Sequence, residues 1–193
     1  MENYIVSARK YRPATFESVV GQHALTITLK KCYCHRQAGT CLPVLRTAWS
    51  GKNNVCTYLC QNHQLPDPHC RGEACNQCES CLAFNEQRSY NIHELDAASN
   101  NSVEDIRTLI EQVRIIPQVG RYSVFIIDEV HMLTTAAFNA LLKTLEEPPA
   151  HVIFVLCTTD PQKILETILS RCQRFDFHRI GNEDIERRLA YVC

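Results

Sequence analysis

The most constraining feature of this chain is a run of four apolar residues, Val124-Phe125-Ile126-Ile127, followed at once by Asp128-Glu129. A half-buried strand alternates apolar and polar positions, so an unbroken β-favouring run implies cover on both faces, as in a parallel sheet. The acidic pair then falls at the carboxyl end of a strand, where open α/β sheets place their ligands. Residues 152–156 repeat the pattern and end at Cys157-Thr158-Thr159-Asp160. Between the two runs the spacing predicts a helix over 135–146, with Phe138, Leu141, Leu142 and Leu145 inward and Pro148-Pro149 as its stop. A short helix over 164–169 and a short strand over 174–177 follow. Strand, helix, strand, helix, strand predicts an α/β fold, doubly wound, with a mostly parallel sheet and helices on both faces.

Upstream, Val103, Ile106, Ile110 and Val113 share one face of a helix predicted over 103–113. Gly21-Gln22 precedes an amphipathic stretch after an N-terminal arm broken at Tyr11-Arg12-Pro13, and residues 182–193 begin a new helix. Residues 32–71 show neither a period of 2 nor of 3.6. That stretch holds six of the twelve cysteines and the single Trp, Trp49. Hydrophobic residues are 45% and charged residues 21% of the chain, an ordinary globular composition. Twenty basic residues against 21 acidic ones exclude a uniformly basic coat for nucleic acid. No run of 18 apolar residues occurs and the N-terminus has no apolar leader, so a cytoplasmic, non-membrane protein is expected.

Several residues carry candidate chemistry. An acid at the place of Asp128 suits Mg²⁺, and its neighbour Glu129 suits orientation of a water for attack on a phosphoryl group; two acids capping a surface strand is the plainer alternative. Thr158 and Thr159 end the next strand, where a hydroxyl reaches a γ-phosphate or its attacking water, or simply closes a turn. Arg171 in Ser170-Arg171-Cys172 follows a helix, placed either for a phosphate on a neighbouring subunit or for solvent. His131 reads as structural. Cys75, Cys78 and Cys81 form CxxCxxC, whose two-residue gaps let a turn bring thiolates into one Zn²⁺ tetrahedron, three unrelated thiols being the plainer alternative; Cys70, five residues earlier, is the nearest candidate for the fourth ligand, with His69 behind it.

Together these segments resemble one family: ARKYRPATFESVVGQ at 8–22, GEACNQCESC at 72–81, HELDAASNNSVEDIR at 93–107, VFIIDEVHMLTTAAFNALLKTLEEPP at 124–149 and TTDPQKILETILSRCQRFDF at 158–177. They are similar to the gamma/tau subunits of the bacterial DNA polymerase III clamp loader. The resemblance covers residues 1–31 and 72–193. It implies an AAA+ core over 1–180 with a zinc module at 70–81, and the start of a helical lid at 181–193. It further implies that ATP and Mg²⁺ serve to open a sliding clamp and load it on primed DNA. The implied partners are other clamp-loader subunits in a hetero-oligomeric ring, within the DNA polymerase III holoenzyme. By position, Asp128 and Glu129 match the Walker B pair, Thr158-Thr159 the sensor 1 region and Arg171 the arginine finger acting in trans. Tyr11, Arg12, Pro13, Val19 and Val20 match the segment bordering the adenine. Cys75, Cys78 and Cys81 match three of four zinc ligands.

One motif departs from this pattern. A phosphate loop of the form GxxxxGK[ST] belongs near residue 50, where the chain reads Leu45-Arg46-Thr47-Ala48-Trp49-Ser50-Gly51-Lys52-Asn53-Asn54. Only Gly51 and Lys52 remain. Glycines in such a loop let successive N–H groups face the phosphates, and a hydroxyl binds Mg²⁺; Arg46, Trp49 and Asn53 supply neither. The genetic code offers a reason. Back-translated and moved forward one base, residues 45–54 can spell Cys-Gly-Pro-Arg-Gly-Val-Gly-Lys-Thr-Thr, an intact loop. Degeneracy leaves limited freedom: Trp49 before Ser50 must yield Gly, Lys52 only Lys or Arg, and Asn53 only Thr or Ile. The same shift gives a helix end and strand start across 32–42, and a cysteine near Leu65. Residues from about 32 to 71 therefore read as translated out of frame, with ATP binding impaired. An ATP-independent ring subunit and a zinc-stabilised nucleic-acid-binding module are the alternative readings.

Overall fold

The computed structural model describes residues 21–22, 25–28, 82–83, 89–118 and 122–192, together with the backbone of 41–46. The strands among them are β1 (Cys41–Arg46), β2 (Ile92–Asp96), β3 (Ser123–Asp128), β4 (Val152–Thr158) and β5 (Phe175–Asp176). The helices are α1 (Val103–Val113), α2 (Thr135–Glu146), α3 (Glu166–Leu169) and α4 (Asn182–Val192). The strands form one sheet in the order β2-β3-β4-β1-β5, and every pairing is parallel.

β3 and β4 sit inside this sheet because nothing in them needs water. Val124 to Ile127 and Val152 to Cys157 are all at most 7% exposed, so both faces are covered. Phe125, Ile127, Phe154 and Leu156 share one face and pack with Ile106, Leu109 and Val113 of α1 and Phe138, Leu141 and Leu145 of α2. The rings of Phe125 and Phe154 lie 5.8 Å apart, and His93 of β2 stacks on Phe125 at 4.6 Å. β2, α1 and α2 are thus fastened to one apolar layer.

The helix boundaries have local causes. Ser102 caps α1: its Oγ accepts from the Asp105 N–H, and the Asp105 carboxylate accepts from the Ser102 N–H, a reciprocal box. Thr134 caps α2 by accepting from the Ala137 N–H, while its own hydroxyl donates to the Asn101 carbonyl and ties the two helix starts together.

The predicted α/β fold with a parallel sheet is found, and the ranges over 103–113 and 135–146 coincide with α1 and α2. Three details differ. Leu109 is buried while Val103 and Ile110 are only partly so, because the buried stripe of α1 is centred nearer Ile106 and Leu109 than the periodicity placed it. The helix expected over 164–169 starts two residues later, at Glu166; Ile164 and Leu165 are non-helical and link it to a 3₁₀ turn, Pro161–Lys163. Residues 41–46, which showed no period, form a central strand between β4 and β5. Its register against β4 slips between Leu42 and Val44, at Pro43, which has no N–H to give the ladder.

Gly21 has φ +73°, and a Cβ there would meet Ile180 at 3.1 Å. This close approach lets the buried Gln22 side chain grip the backbone of His178 through both its donor and its acceptor.

Two outcomes follow from this packing. Phe154→Ala leaves a cavity between the sheet and both helices and should lower the unfolding free energy by about 3–5 kcal/mol in urea titration. Burial holds the His93 imidazole below its ordinary value of 6.5, so the folded chain favours the neutral ring. The stability this gives is present above the unfolded value and lost as pH falls through the folded one. The urea midpoint should therefore drop more steeply below about pH 6.5 in the natural chain than in His93→Phe, which keeps the stack but cannot titrate.

Candidate functional site at the strand ends

Parallel pairing levels the carboxyl ends of the strands. Asp96 is in register with Asp128, and Arg46 with both Thr158 and Asp176. A row of polar residues closes an otherwise apolar sheet along this edge, with Asp128 and Thr158 at its middle.

Asp128 is half-buried, and its Oδ1 accepts the Glu129 N–H at 2.7 Å. Glu129 itself lies in the left-handed region, φ 48° and ψ 45°. It is the only non-glycine among the described residues with positive φ. That conformation costs a side-chain-bearing residue roughly 1–2 kcal/mol. It swings the Glu129 carboxylate across the strand end to β4, where Oε2 accepts from the Thr159 hydroxyl at 2.9 Å and the Thr159 N–H at 3.2 Å. A third group, Nδ1 of His131, lies 3.4 Å from the same oxygen.

The two threonines divide the work. Thr158 is fully buried; its Oγ1 accepts from the Asp160 N–H at 3.1 Å and lies 3.0 Å from His131 Nδ1. Thr159 is exposed and reaches Glu129 directly. Asp128, Glu129, Thr158 and Thr159, singled out in the sequence, are thus brought together. His131, read there as structural, joins both strands of the site. Its distance from Thr158 along the chain hid that connection.

Arg171 stands apart. Its guanidinium pairs with Glu146 at the end of α2, 3.0 Å away, and donates to the Thr167 carbonyl of its own turn. Tyr11, Arg12, Pro13, Val19, Val20, Gly51 and Lys52 lie outside the described residues, as do Cys70, Cys75, Cys78 and Cys81. Among the described residues no group of three or more His, Cys, Asp or Glu side chains is placed to hold a metal ion.

Comparison with known proteins bears on this edge. The family model described as DNA polymerase III, delta subunit, matches residues 44–181, which contain four of the five strands whole. The chain belongs to this family of DNA polymerase III subunits. Within it the chain is similar to tau and gamma subunits. It is 41% identical over 195 residues to DNA polymerase III subunit tau of Bacillus subtilis (strain 168), covering 98% of this chain and 34% of that protein. Identity to the tau subunit of Escherichia coli (strain K12) is 42% over 191 residues, covering 98% and 29%. The chain therefore spans about a third of the length of these relatives. Among solved structures, a gamma-subunit-related protein of Thermotoga maritima is similar at a TM-score of 0.54 and 22% identity, over 81% of this chain and 46% of that one. The RuvB Holliday junction branch migration motor of the same organism aligns at 0.58 and 16%, over 92% and 52%. These two likenesses show the fold alone.

Thr158→Val strips a buried oxygen from two partners and should cost about 1–3 kcal/mol, whereas Thr159→Val removes one exposed contact and should cost about 1 kcal/mol or less. Urea unfolding of both variants checks the ranking.

Proposed function

We propose that this chain is the nucleotide-binding core of a clamp-loader subunit, a lineage that uses ATP to place a sliding clamp on primed DNA. In this reading it works in a hetero-oligomeric ring with other clamp-loader subunits, attached to the DNA polymerase III holoenzyme. The observation that carries the reading is the strand-end array: Asp128 beside Glu129, and Glu129 held by Thr159 across from β4. Asp128 would hold Mg²⁺, which supplies positive charge against the phosphate oxygens. Glu129 would orient the attacking water once its Oε2 leaves Thr159, and Thr159 would then be released to meet the terminal phosphate. Arg171 would serve a phosphate bound on the adjoining subunit. Tyr11, Arg12, Pro13, Val19 and Val20 would border the adenine. Cys75, Cys78 and Cys81, with Cys70, would hold a structural Zn²⁺; the CxxCxxC spacing supports this. Residues 1–180 would form the core, and 181–193 would open a lid.

β1 ends at Arg46, so the segment that should cradle phosphate begins in register with Thr158, beside the array. Its present sequence offers Trp49 and Asn53 where glycine and a hydroxyl are needed. The chain as written is therefore weak or inactive toward ATP, and the out-of-frame reading of 32–71 is the reason.

Titration with a fluorescent ATP analogue tests both statements. The natural chain should show no tight Mg²⁺-dependent binding. A chain whose residues 45–54 are replaced by Cys-Gly-Pro-Arg-Gly-Val-Gly-Lys-Thr-Thr should bind. Adding Glu129→Gln to that chain should leave binding intact and slow hydrolysis by about 10²-fold or more. Tight binding by the natural chain overturns the impaired loop, and loss of binding with Glu129→Gln overturns its role. Sequencing the coding DNA checks the frame directly.

A further inference from the structure

Among the described residues, Thr159 is not the one group that faces Glu129. Another is His131, which is 10% exposed in its side chain and follows Glu129 by one intervening residue on the 3₁₀ turn Val130–Met132. That turn begins at the left-handed Glu129, which bends the chain back so that His131 faces the end of β4 rather than solvent. Its Nδ1 lies 3.0 Å from Thr158 Oγ1 and 3.4 Å from Glu129 Oε2.

One proton placement serves both oxygens that face the ring. A carboxylate oxygen only accepts, so a ring nitrogen facing it must carry hydrogen. The Thr158 oxygen already accepts from the Asp160 N–H and retains a lone pair for a second donor. A proton on Nδ1 serves both acceptors, as a shared bond with its better half on Thr158. An unprotonated Nδ1 would set its lone pair against a carboxylate oxygen in a largely buried place, which is unfavourable.

We propose that His131 is a positioning residue: its Nδ1–H bridges Thr158 Oγ1 and Glu129 Oε2 and thereby sets where the Glu129 carboxylate stands at the strand ends. Thr158 is the anchor, because it is fully buried and fixed to the Asp160 backbone. His131 is the arm, and Glu129 is what the arm holds. The bond to Glu129 is the longer of the two, so the carboxylate can leave His131 while the ring stays on Thr158. This inference rests on the reading of Glu129 as the residue that orients water.

The ring atom concerned makes the test specific. The side-chain nitrogen of Asn stands as many bonds from the backbone as Nδ1, whereas that of Gln corresponds to Nε2. In the ¹⁵N-labelled natural chain, the His131 ring should show a protonated Nδ1, and its shift should move in both Glu129→Gln and Thr158→Val. A ring unprotonated at Nδ1, or indifferent to both substitutions, overturns the proposal without reference to ATP. In the chain carrying the replaced 45–54 segment, His131→Ala and His131→Gln should lower kcat for ATP on the order of 10-fold with KM little changed, since a misplaced group alone can cost up to about 10²-fold. His131→Asn should recover most of that loss. Equal losses in Asn and Gln, or losses confined to KM, also overturn it. If that chain hydrolyses no ATP at all, the ATPase reading fails, and the ring-nitrogen response alone decides the role of His131.

Discussion

Parallel pairing of β3 with β4 is the constraint on which the remaining structure depends. Five consecutive rungs, Ser123 with Val152 through Ile127 with Leu156, lock two strands that are apolar on both faces. Such strands are stable only when layers cover both sides, which obliges α1 and α2 to lie against Phe125 and Phe154 and excludes an open, one-faced sheet. Because the direction of the strands is shared, their polar termini emerge at one edge. The candidate site is a geometric by-product of burying β3 and β4 correctly.

The edge then concentrates strain and polarity where packing does not need them. Glu129 takes a left-handed conformation immediately after the buried stretch of β3, and the cost is offset by the two hydrogen bonds its carboxylate accepts from Thr159, with the His131 ring 3.4 Å away. Removing any one partner leaves the others with less reason to hold that conformation. The site is a small set of mutually dependent contacts resting on a buried layer. Arg171 and Glu146 show the same economy of placement on the far side of α2, where one ion pair joins the end of a core helix to the turn after α3.

Much of this was legible in the residues. The runs at 124–127 and 152–156 announced buried strands because they are short, made largely of β-branched and aromatic residues, and ended by acids and hydroxyls. The limits of α1 and α2 were readable because an apolar helical period marks each one and Pro148-Pro149 stops the second. β2 was less legible: Ile92–Asp96 alternates weakly and carries His93 and Glu94, and it becomes a strand by pairing with β3 and stacking on Phe125. β1 was illegible. CLPVLR holds a proline, and its place between β4 and β5 comes from long-range pairing that tolerates a slip at Pro43.

By itself, then, the sequence determined the class of fold, the limits of α1 and α2, the family and the choice of Asp128, Glu129, Thr158 and Thr159 as candidates. These rest on periodicity, proline stops and motif, all of which operate over a few adjacent positions. The tertiary structure decided that Glu129 reaches across to Thr159, that Thr158 turns inward, and that His131 joins them. Those contacts span 27 to 30 residues of chain and exist only because two parallel strands end at the same level. No local pattern encodes a distance that sheet pairing alone creates.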